Sequence, residues 1–357
     1  MAESKRFACV VAAHDLRVSD PVEGHRQPAN VFSTLARSAD CEIFATEANV
    51  EGPTTASING AVETGKRVFS IRPAFDAILT SGEDVGLPVA RYGLEHYPDI
   101  PVNIITHGSL FWWSDHFKLI KNLTNVKFLC VSNAIRMQLI SRLDIPPERA
   151  VNVGYYTDTE FFRPKVFVST SPTIVGGGLE NRDYESLVKA TADLDVQVRI
   201  AAGSVWRPNS LHHSSETVGG KITIQTFRNR MHVRDLYAES AFVVVPLHAS
   251  PTACGITVVA EAMAMAKAVI TTYTEGRCDF LVDGATGFFY SPGNVDDLRC
   301  KILTLLEDPH LTCRMGKLAR RMIETSFSVE QYCERIVRSI DSSNTVRSLA
   351  TTAILSM

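Results

Sequence analysis

AFVVVPLHASPTACGITVVAEAMAMAKAVITTYTEGRCDFLVDGATGFFYSPGNVDDL, Ala241 to Leu298, is the stretch from which this chain is most directly read. AFVVVPL is a short Val-rich run that ends in Pro246-Leu247 and shows no alternation, the pattern of a strand buried on both faces of a parallel sheet. A loop of small residues, Ser250 to Gly255, follows. In GITVVAEAMAMA the residues Val258, Val259, Ala262, Met263 and Ala266 recur at helical spacing. AVITT reads as another buried strand and DGATGFFY as a turn with an edge strand. Strand, small-residue loop and helix N-terminus together turn backbone N–H groups outward, where an anion can accept from them. Gly255, Ile256 and Thr257 open that helix, and Glu261 lies further in, on a face otherwise made of Val, Ala and Met. An idle carboxylate there would be costly, so Glu261 is expected to work.

The order of these residues resembles the C-terminal half of the retaining, family 4 nucleotide-sugar glycosyltransferases of GT-B fold. There a Gly-containing loop enters a helix with a Glu, followed by Ala-Met-Ala, a Lys and Val-Ile. Here those are Gly255, Glu261, Ala262-Met263-Ala264, Lys267 and Val269-Ile270, with Asp283-Gly284 and Thr286-Gly287 downstream. The resemblance extends over roughly residues 75–335. It implies two Rossmann-like α/β domains facing a cleft, a nucleotide-sugar donor as substrate and no metal cofactor. It also implies that Glu261 accepts hydrogen bonds from the ribose hydroxyl pair. The family's further Glu, eight residues earlier, is Ala253 here, so sugar recognition must differ or fall to the backbone of the 250–257 loop.

A chain of 357 residues exceeds one ordinary core, and two domains are expected. Hydrophobic residues at 45% and charged ones at 21% make a globular chain, and a net charge of −3 leaves no footprint for nucleic acid. The eight cysteines form no CxxC pair, which argues against zinc and a disulfide framework and for free thiols in a reducing compartment. The N-terminal apolar run is too short for a signal peptide or membrane span, so a cytoplasmic protein is expected, with peripheral membrane contact left open.

Phe7–Ala13 reads as the first strand and Ala29–Ala39 as a helix. In the polar loop between them the resembled family often has paired glycines, whereas here Gly24, His25 and Arg26 stand, either touching a substrate phosphate or forming ordinary surface. CEIFAT, AFDAILT, VNIITHG, KFLCV and AVNVGYY continue as strands. SGEDVGLPVARYGL reads as a Ser-capped helix start, and Ser132 as the cap of NAIRMQLISRL. Strands alternating with amphipathic helices mean a parallel α/β sheet. Residues 1–160 are expected to form the acceptor domain, 157–165 (TDTEFFRPK) the linker, and 166–328 the donor domain. A helix at 329–345 is expected to cross back to the first domain.

The departing nucleotide builds charge on phosphate, so holding that leaving group is the main chemical task. By the resemblance, Arg182 in VGGGLENRDY stands where the family grips phosphate. The family's second cation is replaced by Gly177 or Gly178, and Arg207 in GSVWRP is a candidate substitute. His107 follows a strand, where ligands of open parallel sheets bind, and the resemblance places a His near the reacting sugar. A core histidine bonded to backbone is the alternative. Trp112 and Trp113 either line an acceptor site or pack. The loop around Phe227 to Met231 is expected to read the base.

Other features read as surface. Asp193-Leu194-Asp195 matches a metal-binding triplet by letters but falls between a helix and a strand. His212-His213 lack partners at ligand spacing. Arg314, Lys317, Arg320 and Arg321 make a basic stripe, read as a solvated face with anionic lipid as the alternative. The expectation is a hexosyltransferase. A sugar phosphorylase of similar fold and a catalytically silent nucleotide-sugar binder remain as alternatives, and the retained Glu261 argues against the first.

Overall fold

The computed structural model describes residues 5–17, 27–46, 55–71, 75–109, 122–165, 172–202, 216–218, 221–225 and 229–342. His25, Arg26, Trp112, Trp113, Arg207, His212, His213 and Phe227 lie outside them. The first sheet is parallel and six-stranded, in the order β2-β1-β3-β4-β5-β6. Its strands are β1 (Phe7–Ala12), β2 (Cys41–Thr46), β3 (Ala77–Thr80), β4 (Val102–Thr106), β5 (Val126–Cys130) and β6 (Ala150–Asn152). The helices along it are α1 (Ala13–Arg17), α2 (Val31–Ser38), α3 (Thr55–Ser70), α4 (Glu83–His96) and α5 (Asn133–Leu143). Every residue of β1 is buried, which is why the strand has no polar alternation.

The second sheet has seven strands in the order β13-β12-β11-β7-β8-β10-β9. They are β7 (Thr173–Gly177), β8 (Gln197–Ala201), β9 (Glu216–Val218), β10 (Ile222–Gln225), β11 (Phe242–Val245), β12 (Val269–Thr272) and β13 (Gly287–Tyr290). All ladders are parallel except β9 against β10, a short edge pairing that no periodicity announced. Its helices are α6 (Tyr184–Thr191), α7 (Arg230–Glu239), α8 (Ile256–Ala264), α9 (Val295–Glu307) and α10 (Pro309–Ser326), and α11 (Val329–Asp341) closes the described chain. β11 joins β7 and β12 at the centre, and Ile174, Phe242, Val244 and Ile270 pack with Leu298 and Ile302 of α9. Each such side chain contributes about 1.5–3 kcal/mol on burial.

Of the described residues, 5–17, 30–154 and 330–342 make one compact unit, and 27–29 with 155–329 the other. From residue 330, α11 therefore belongs with the first sheet. Arg335 Nε donates to the Val153 carbonyl at 2.6 Å, and Lys127 and Lys5 donate to the carbonyls of Ser339 and Asp341 at 2.8 and 2.6 Å. Lysines at those last carbonyls complement the negative end of the helix.

Local chemistry departs from expectation at three places. Ser81 does not cap α4: its hydroxyl accepts from the Ala12 N–H at 3.1 Å, and Gly82 is the cap residue without a side-chain bond. The sheet claims the hydroxyl because an unpaired N–H at the end of β1 would be buried. Ser132 does cap α5, accepting from the Ile135 N–H at 3.2 Å. Residues 157–165 are packed chain: Asp158 accepts from the N–H groups of Ala29, Glu160 and Phe161, and Phe161 and Phe162 are buried. The basic stripe on α10 loses a member, because Arg320 turns inward. Its Nη1 donates to the carbonyls of Thr159, Phe162 and Ala264 at 3.1, 2.7 and 2.8 Å.

Candidate functional site

The second unit builds its site where β7 and β11 end. β7 runs into Gly177-Gly178, and Gly178 has φ +92°, which only glycine adopts without strain. The turn that follows is strapped to the segment after β11. The Asp183 N–H donates to the Pro246 carbonyl at 3.0 Å, and Asn181 and His248 exchange two bonds at 2.9 and 3.1 Å. Arg182 sits inside this strap, and its Nε donates to the Gly177 carbonyl at 2.6 Å while Nη1 bonds the Glu180 carbonyl. The expected phosphate grip is thus a guanidinium already oriented by its own loop. Asp183 then caps α6, accepting from the Ser186 N–H at 3.1 Å.

After β11, the Ser250–Cys254 loop leads to Gly255, the cap residue of α8. Gly255 has φ +77°, and a Cβ there would lie 2.9 Å from Cγ1 of Val245. Glycine has no side chain with which to accept from the first turn of the helix, so those N–H groups are not side-chain capped. Ile256 is buried, and the Thr257 hydroxyl pairs with the Tyr155 hydroxyl at 2.8 Å.

Glu261 corrects the sequence reading of a lone carboxylate on an apolar helix. It is only 3% exposed, and its Oε1 is ion-paired with Nη2 of Arg230. Tyr237 donates a long 3.5 Å bond to Oε2. Arg230 and Tyr237 both come from α7. The Arg230 guanidinium lies over the Phe162 ring, 5.5 Å from its centroid, and its Nε is buried with no partner among the described residues. Burial pushes the Tyr237 phenol up to about 12, while Arg230 and Arg182 pull it the other way. One phenol thus feels both guanidiniums.

The structure therefore gathers Arg182, Gly255, Ile256, Thr257 and Glu261 around neighbouring strand ends, and adds Arg230 and Tyr237. Sequence reasoning singled out neither residue; Arg230 lies in the 227–231 stretch expected as a base-reading loop, whereas in the structure Asn229 caps α7 and Arg230 and Met231 are its first residues, and a further signal for Arg230 was present. Asn229-Arg230 opens α7 with a cation at its positive end and no acidic residue in the first turn. That placement is unfavourable unless an anion meets it. Lys267, part of the quoted motif, serves the frame instead. Its Nζ donates to the carbonyls of Ala238 and Ser240 at 2.9 and 2.6 Å, fastening the end of α7, and burial lowers its pKa to about 8.

In the first unit His107 follows β4, half-buried, and burial lowers its pKa to about 4, so the ring is neutral at physiological pH. The turn it begins is held by Glu83, the first residue of α4. Glu83 Oε1 accepts from the N–H groups of His107, Gly108 and Ser109 at 2.9, 2.8 and 3.1 Å. Burial pushes that carboxyl up to about 7. A Glu in a first helical turn looks like routine dipole complement, so this anchor was invisible in sequence. Asp193 of the metal-like triplet is a surface residue bridged to Arg299, at 2.6 and 2.9 Å. Among the described residues no group of three or more His, Cys, Asp or Glu could hold a metal ion, and no helix is long and apolar enough to cross a membrane.

Residues 173–326 match the protein family described as glycosyl transferases group 1. An uncharacterized glycosyltransferase of Methanocaldococcus jannaschii is 26% identical over 223 residues, which is 60% of this chain and 58% of the relative. The match thus spans less than two thirds of that relative. Among solved structures, a sucrose-phosphate synthase from Thermosynechococcus elongatus superimposes with a TM-score of 0.71 at 16% identity, covering 98% of this chain and 100% of its own. Anabaena HepE, solved in complex with UDP, gives a TM-score of 0.67 at 16% identity, covering 94% and 100%. At these identities the likeness speaks for the fold, and the fold is the expected one: two Rossmann-like α/β units of the GT-B kind.

Proposed function

We propose, from the match of residues 173–326 to the glycosyl transferases of group 1, that the chain moves a sugar from a nucleotide-sugar donor to an acceptor hydroxyl with retention of configuration. The observation that carries the reading is the convergence of Arg182, the uncapped first turn of α8 and the buried Glu261 at the ends of β7 and β11. An anion at the helix N-terminus accepts from backbone N–H groups and is favoured by the helix dipole. Glu261 supplies a carboxylate for a ribose hydroxyl pair. Preoriented donors of this kind stabilise charge that grows on a departing diphosphate, without reorganising as it forms. In this reading Arg182 and the helix end meet that charge, with no resident metal. The acceptor hydroxyl attacks on the face the nucleotide leaves, and the leaving phosphate helps take its proton. His107 is assigned a hydrogen bond to the reacting sugar. HepE, a structural neighbour, was solved with UDP and also with UDP-glucose, which makes a uridine nucleotide the first to try.

A thermal-shift series with UDP, GDP, ADP and TDP tests the donor site, because a ligand at ~100 times its dissociation constant adds ~2.7 kcal/mol of stability. Release of free nucleotide from the matching sugar donor tests the transfer. The expected result is one preferred base and slow release without acceptor. A melt that no nucleotide moves overturns the reading. Ala253 and the Gly177-Gly178 turn favour a second reading, a silent binder, and binding without release from any donor would support it.

A further inference from the structure

The Gly177-Gly178 turn leaves the donor site one cation short of the resembled pattern, and the structure explains why none can stand there. A Cβ at Gly177 would lie 2.7 Å from Cγ1 of Val258 and 3.2 Å from the Tyr237 hydroxyl. A Cβ at Gly178 would overlap the Arg182 guanidinium. The volume beside the turn is already filled from α7 and α8. A second guanidinium, however, is brought to Glu261 from α7. Arg230 is paired with Glu261, and Tyr237, which bonds Glu261 at 3.5 Å, is with Val258 one of the residues that crowd Gly177.

The geometry points to Arg230 as the second diphosphate-binding cation of this site, held by Glu261 until a nucleoside diphosphate arrives and then shared with its phosphates. This rests on the donor-site reading above and deepens it. Three observations carry it. The guanidinium keeps an unpartnered, buried Nε among the described residues, so it has donor capacity that Glu261 does not use. Its guanidinium lies over the Phe162 ring, which sets the plane of the fork and leaves the donors at its edge to point at acceptors. It also stands in the first turn of α7, a turn with no acidic residue, at the positive end of the helix where an anion from elsewhere must compensate it. Glu261 supplies one negative charge, and when its oxygens turn to ribose hydroxyls the guanidinium needs another acceptor. A diphosphate, with several anionic oxygens, supplies it.

Equilibrium titration of the full chain with uridine and UDP, with the guanosine, adenosine and thymidine pairs in parallel, tests this. Arg230→Met keeps a long apolar side chain beside Phe162 and removes the charge. It is expected to weaken the diphosphate about 10- to 100-fold while changing the bare nucleoside only a few-fold, the size of a lost charge-assisted pair. Arg230→Lys keeps a charge for Glu261 and loses the fork, so it serves if the Met variant does not fold. For it the diphosphate is again expected to weaken more than the nucleoside. Equal weakening of both ligands, in whichever variant folds, would make Arg230 a mere holder of Glu261 and overturn the inference. So would an unchanged diphosphate affinity. If Arg182→Ala and Glu261→Gln lose the diphosphate while the Arg230 variants keep the parent's preference for it, only this inference fails. If the parent binds no nucleoside diphosphate, the donor-site reading fails and takes this one with it.

Discussion

Replacing Glu83 with Ala removes the single oxygen that three backbone donors share and orphans all three at once. Glu83 Oε1 accepts from His107, Gly108 and Ser109, all within 3.1 Å, and the carboxylate is buried. Each buried donor left unsatisfied costs about 1–3 kcal/mol, and the three share one acceptor, so a total of about 3–5 kcal/mol follows. Opposing this is the cost of ionising a buried acid. The folded carboxyl titrates at about 7, against 4.5 for its ordinary value. Between those two values the folded protein holds a proton that the unfolded chain has released, so the parent loses stability as pH rises through that window. The shift corresponds to about 3 kcal/mol, all of it lost above pH 7. Glu83→Ala lacks this dependence. It should therefore fall furthest behind the parent near pH 5, by on the order of 10 °C in the melting of the first unit, and by much less at pH 8. Comparing variant with parent at each pH removes the titrations of distant groups; His107, whose pKa of about 4 makes stability rise with pH between that value and 6.5, acts with the opposite sign to Glu83. Melting curves at the two pH values, with amide exchange of Gly108 as a local readout, decide the matter. A variant that melts with the parent at pH 5 and exchanges Gly108 as slowly would show that the carboxylate does not hold the turn.

Glu261→Gln keeps the shape of the buried pair and removes its charge; it should weaken nucleosides and nucleoside diphosphates alike, and an unchanged thermal shift with nucleotide would remove Glu261 from the ribose. The Ala variant is the poorer test, because stranding Arg230 costs about 3–5 kcal/mol of stability on its own. His107→Ala should lower turnover strongly while leaving nucleotide affinity and melting temperature near the parent's; a lower melting temperature with activity reduced only in proportion to folded protein would mark a core histidine. Ala266, which follows α8, has φ +56°, a conformation that costs a residue with a Cβ about 1–2 kcal/mol. Ala266→Gly should therefore raise the melting temperature of the second unit slightly, and a fall would mean that packing of the methyl outweighs the backbone.

Periodicity and turn chemistry were enough to read most of the parallel strands, several of the helices between them and the glycine-opened start of the helix at Gly255, because these depend on residues close together in the chain. β1 and β11 are buried on both faces, and an uninterrupted apolar run is the direct consequence. The helix end follows from a small-residue loop meeting an apolar helix. What only the tertiary structure decided is which distant groups meet. Ser81 gave its hydroxyl to β1, Arg320 turned inward to three carbonyls, and Glu83 closed on the turn at His107. Arg230 found Glu261 thirty-one residues away. In each case a buried polar group had to find a partner. Its own residue type states that need, while the packing of the sheets alone determines which partner is within reach.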